Sequence, residues 1–151
     1  VRQALRRGEL SKACARASML ADGAALAAAI ERQLDAKVEL FEAARLEGDW
    51  LGMRLRGDEL RKALLGDERR EGVLAALDAL EQDKRARREF AAQREVRATR
   101  GMHLSRSKER ATARQRLQAI RAELPASVAA KEAGVLLERL DRIEAERQAM
   151  R

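Results

Sequence analysis

Across 151 residues the chain carries 32 Lys or Arg against 25 Asp or Glu, a net charge of +7, with one Cys, one His and no Tyr. That length fits one ordinary domain, and a lone cysteine, Cys14, excludes an internal disulfide framework and a multi-cysteine zinc site while suiting a reducing compartment. No apolar run approaches the roughly 20 residues of a membrane-spanning helix, the nearest being AALAAAI at residues 24–30, which reads as a soluble intracellular protein of the cytoplasm or an organelle matrix.

Composition sets the fold class. Ala and Leu dominate, while Val, Ile and Thr total six, three and two, so strands have little material. The one proline, Pro125, suits a chain of helices, whose interiors tolerate proline badly. The expectation is an all-α protein, an elongated bundle of about four to six helices with one long basic helix and a short antiparallel coiled-coil section, forming a single domain. Val1 in place of Met fits a processed product or a piece of a longer reading frame.

Residues 1–21 are Arg-rich with Glu9 as their only acid, a composition shared with organelle-targeting peptides, and are read as a retained basic helix. Asp22 is placed as the cap of a helix whose apolar face runs through Ile30, Leu34, Val38 and Phe41, and Gly48 as its stop. Gly48, Gly52, Gly57 and Gly66, three of them followed by Asp, predict short helices or tight turns over residues 48–68, with Trp50 as an anchor to the core. A Gly followed by an acid and then small residues occurs twice in the first half, as in helical-hairpin repeats, but the spacings disagree and no repeat is inferred. Asp67 is read as the cap of a long helix, residues 68 to about 100, whose stripe of Val73, Leu74, Leu77 and Leu80 thins to Phe90 and Val96. Gly101, Ser105 and Ser107 predict a break before a helix through Leu117, Ile120 and Leu124, which Pro125 closes. Ser127 is expected to cap the last helix, where Leu136, Leu140, Ile143, Arg147 and Met150 follow a heptad seam.

Charge falls in blocks. Residues 84–116 hold twelve Lys or Arg, namely Lys84, Arg85, Arg87, Arg88, Arg94, Arg97, Arg100, Arg106, Lys108, Arg110, Arg114 and Arg116, against Glu89, Glu95 and Glu109. Residues 17–83 instead carry nine basic and fifteen acidic groups. A solvated helix normally interleaves opposite charges at four-residue spacing, whereas like charges cluster here, and their repulsion is best relieved by an anion. Ten of the twelve are Arg, whose planar fork grips phosphate oxygens. Phe90 is the only aromatic in the segment, so stacking on unpaired bases is not expected and contacts should be to nucleic-acid backbone, RNA or DNA.

The twelve residues are therefore the candidate nucleic-acid-binding set of a non-enzymatic structural or adaptor subunit, within a multi-subunit assembly. The alternatives are an acidic protein surface, for a protein-only helical adaptor, or neutralisation by the acidic block of the same chain. Anionic membrane fits less well, because no continuous bulky apolar face accompanies the charge. Catalysis has no local signature: His103 lacks any metal-ligand spacing, the glycine stretch lacks a phosphate-loop ending, and acidic pairs such as Glu31 and Asp35 or Glu68 and Glu71 read as surface charge. No cofactor or metal is expected, and Cys14 reads as a buried, inert thiol.

Overall fold

The structure is a computed structural model and describes residues 1–102, 104 and 106–150, so His103 and Ser105, both singled out in the sequence, lie outside the described residues. Among the described residues there are eight helices and no strand, rather more helices than the four to six expected. They fall into two compact units, Val1–Lys84 and Arg85–Arg151.

The first unit contains α1 (Arg2–Arg6), α2 (Leu10–Ser18), α3 (Ala24–Glu47), α4 (Trp50–Ala63) and α5 (Arg69–Gln82). The basic N-terminal helix expected over residues 1–21 is two helices, because Gly8 takes a φ of 74° that a residue with a Cβ adopts only under strain. Asp22 is not the cap of α3; Gly23 holds that position and no side chain caps the helix. The face of α3 runs as read, with Ile30, Leu34 and Phe41 buried and Val38 half-buried against the same cluster. Gly48 ends the helix in the left-handed conformation, and Asp49 caps α4 by accepting the Gly52 N–H at 2.9 Å.

Residues 48–68 depart from the expected short pieces. One helix, α4, runs through both Gly52 and Gly57. Gly57 is there for close approach: a Cβ on it would lie 2.9 Å from Leu77 Cδ2 and 3.1 Å from Phe41 Cε2, so its absence lets α3 and α5 press onto α4. Phe41, Leu34, Met53, Leu60 and Leu64 are the large fully buried side chains of this unit, and Trp50 packs on the same cluster.

The long helix expected from residue 68 to about 100 is two helices. Asp83 takes an extended backbone, φ −78° and ψ 114°, between α5 and α6 (Lys84–Arg100). Aspartate in that conformation suits the position before a helix, a stop and restart that the uninterrupted charge pattern hid. Asp67 does not occupy the cap of α5, which is Glu68, but its carboxylate accepts the Arg69 N–H at 3.0 Å.

The second unit is completed by α7 (Ser107–Glu123) and α8 (Val128–Ala149). The break after residue 100 is present, and Gly101 sits in it with a negative φ, so the break does not depend on glycine's special backbone freedom. Pro125 follows the end of α7, and Ser127 caps α8, its hydroxyl accepting the Ala130 N–H at 3.1 Å. Val96, Leu117 and Leu140 are the large apolar side chains fully buried here, joined by Ala113, Ala133, Leu136 and Leu137. The heptad seam of α8 stops at Leu140: Ile143 is only half-buried, while Arg147 and Met150 are exposed. No helix among the described residues is long and apolar enough to cross a membrane.

Candidate nucleic-acid interface

α6 is held by one face. Ala86, Glu89, Ala92, Gln93, Val96 and Thr99 are buried, at the three- and four-residue spacings of a single helix edge. Ala92 and Val96 join the core of the second unit, while Glu89 accepts a hydrogen bond from Arg85 Nε at 3.1 Å. Every Lys and Arg of α6, seven in all, is exposed.

Their surroundings divide them. Arg85 pairs with Glu89, and Arg100 Nη2 lies 3.7 Å from Glu132 of α8. Lys84, Arg87, Arg88 and Arg97 have no carboxylate within ion-pair distance among the described residues, and neither does Arg94, whose guanidinium sits 5.8 Å from the centre of the Phe90 ring. That ring contact lays the guanidinium over the Phe90 face, while the Arg94 side chain as a whole stays exposed. These five cations stand within 14 positions of one helix, as residues 84, 87, 88, 94 and 97.

The basic groups of α7 are used differently. Arg114 Nη1 lies 2.7 Å from Asp141 and Nη2 2.9 Å from Glu144, both on α8, and these carboxylates, Asp141 first, hold the guanidinium still more firmly protonated than usual. Arg110 is buried; its Nη1 donates to the Leu104 carbonyl at 3.1 Å and its Nε lies 3.8 Å from Glu144. Arg116 faces Glu95 of α6 at 3.8 Å, and Arg106 faces Glu109 at 3.9 Å. Lys108 is exposed at the start of α7 with no ion pair among the described residues. The twelve cations thus do not form one surface: α6 presents five outward, Lys108 stands apart, and Arg110 and Arg114 fasten α7 to α8.

The acidic block of residues 17–83 has its own occupations. Arg69 is the hub, donating to Asp67 at 2.6 and 2.9 Å, to Asp35 at 2.7 Å and to Glu31 at 2.9 Å. Ser11 of α2 also donates to Asp67, at 3.1 Å. The Arg69 side-chain hydrogen bonds are the main reason that Asp67 is lowered to a pKa of about 2. Arg54 of α4 binds Glu81 of α5 and Asp58 of its own helix, and Lys37 of α3 binds Glu59 of α4 at 3.0 Å. Cys14 is half-buried, with Sγ 3.6 Å from the Ala27 carbonyl and 3.7 Å from Glu31; burial first, and Glu31 second, push its pKa up and keep it a thiol. Sequence reasoning took Glu31 and Asp35 for simple surface charge and did not find Arg69, since nothing local distinguishes it from the other arginines.

No protein-family model, curated protein or solved structure matches the chain.

Proposed function

We propose that this chain is a non-enzymatic structural or adaptor subunit that contacts nucleic-acid backbone through the outer face of α6. The observation that supports the reading is the set of five outward cations, Lys84, Arg87, Arg88, Arg94 and Arg97, without an ion-pair partner among the described residues. Other arginines, Arg54, Arg69, Arg114 and Arg116 among them, meet carboxylates, and like charges crowded on one helix repel until a polyanion screens them. Arginine forks favour phosphate oxygens, and backbone contact of this kind carries little sequence preference.

Salt titration tests the proposal. Five phosphate contacts to duplex DNA give a slope of log affinity against log salt near −4.5, at about −0.9 per phosphate. Changing Arg87, Arg94 and Arg97 together to Gln should flatten that slope by about 2.7, whereas Gln at the exposed Arg32, Arg45 and Arg61 of the first unit should leave it unchanged. Failure of the wild type to bind either DNA or RNA below about 100 μM at physiological salt overturns the reading and leaves an acidic protein as the partner.

A further inference from the structure

We infer that the outer face of α6 is shaped to enter the major groove of B-form duplex DNA, with phosphates of both strands taken by opposite shoulders of the helix; this rests on the nucleic-acid reading above. The buried row of Ala86, Glu89, Ala92, Gln93, Val96 and Thr99 fixes which way the helix faces. At about 100° per residue, Arg87, Ala91, Arg94 and Ala98 form the ridge pointing away from that row. Lys84 and Arg88 lie on one shoulder. Arg97 lies on the other, about 180° around the axis from Arg88.

A helix resting on a flat anionic surface needs cations along a single narrow line. Cations on opposite shoulders are wasted there, but in a groove each shoulder meets a phosphate strand. The ridge between the shoulders is low where it must be, because Ala91 and Ala98 are both exposed and end at a methyl group. Arg87 and Arg94 lie seven residues apart on that ridge, about 10 Å along the axis; the long stem of Arg87 lets its guanidinium reach to either side, while that of Arg94 lies over the Phe90 ring. The one acid on the outer half, Glu95, is turned to account by Arg116 of α7 at 3.8 Å, so it does not stand uncompensated against a phosphate strand. Width then selects the duplex. A helix about 10–12 Å across matches the B-form major groove of about 12 Å, whereas the A-form groove of duplex RNA is too deep and narrow to admit it.

The experiment compares fluorescence anisotropy of the full chain with a mixed-sequence DNA duplex and with the RNA duplex of the same sequence, across a salt series. DNA should bind about tenfold or more tighter than RNA, with the steeper salt slope, because only DNA engages both shoulders. The double variant Ala91→Leu and Ala98→Leu, at exposed positions where leucine is a good helix former, should keep its helical circular dichroism yet lose most of the preference for DNA. Equal affinities and slopes for the two duplexes, or a double variant indistinguishable from wild type on DNA, overturn groove entry while leaving backbone contact standing. If neither duplex binds, the underlying nucleic-acid reading falls and the groove inference with it.

Discussion

The two units treat the same chemistry in opposite ways. Residues 1–84 contain fifteen Lys or Arg and sixteen Asp or Glu, and there Arg69 and Arg54 tie separate helices together through carboxylates. Residues 85–151 contain seventeen Lys or Arg and nine Asp or Glu; Arg110 and Arg114 pair across α7 and α8, while five of the seven cations of α6 have no ion pair among the described residues. The cores differ in parallel. The first unit fully buries Phe41, Leu34, Met53, Leu60 and Leu64; among the described residues the second fully buries Val96, Leu117 and Leu140 as its large apolar side chains and adds Gln93 and Thr99. An arginine is a cross-link where the fold brings it a carboxylate from another helix and an exposed, unpaired cation where it does not. Arginine density alone distinguishes neither.

The sharpest test of the weaker core is Leu140→Ala. With Leu140 at 1% exposure, the change should cost about 2–5 kcal/mol in urea unfolding followed by circular dichroism. A loss below about 0.5 kcal/mol would mean that α8 is not packed on α7 as described.

Acid should act first on the balanced unit. Asp67 has its pKa lowered from 3.8 to about 2 in the fold, so its contribution is fully present above about pH 4 and is lost as pH falls through about 2. The carboxylate is only 14% exposed, and the shift corresponds to a contribution of about 2 kcal/mol. Asp67→Asn should remove that part of the acid sensitivity in a pH series of unfolding measurements. An unchanged profile would show that Arg69 does not hold Asp67 ionised.

Arginine exchange sharpens the contrast within the second unit. Arg114→Gln abandons Asp141 and Glu144 and should cost about 1 kcal/mol, whereas Arg87→Gln should stay within about 0.5 kcal/mol of wild type. Equal losses would erase the distinction between fastening and outward cations. The smallest effect is expected at the break after α6. A Cβ on Gly101 would meet the Ala98 carbonyl at an ordinary 3.5 Å and the backbone needs no positive φ, so Gly101→Ala should shift stability by no more than about 0.5 kcal/mol. A large destabilisation would place a backbone constraint there that the structure does not contain.

Much of the fold was legible in local chemistry. The scarcity of β-branched residues excluded strands, Ser127 and Gly48 marked helix ends by capping, Pro125 closed α7, and the spacing of Ile30, Leu34 and Phe41 identified the buried face of α3. Such signals survive because each acts within one or two helical turns. The glycines and Asp83 were misread for the same reason in reverse: Gly57 lies inside α4 where Leu77 and Phe41 of other helices leave no room for a Cβ, and Asp83 breaks a charge pattern that looks continuous.

The candidate interface was legible as a segment and not as a surface. Composition located the excess of cations in residues 84–116 and made phosphate a sensible ligand. Which of those cations face outward depends on partners far along the chain, since Asp141 and Glu144 reach Arg114 only because α8 folds back along α7. Likewise Arg69 gathers Glu31 and Asp35 from more than thirty positions away. Sequence by itself determined helix, charge and the chemistry on offer, because these are properties of residues and their near neighbours. Tertiary structure alone decided which charges were satisfied, because ion pairing acts across a few ångströms of space regardless of separation along the chain.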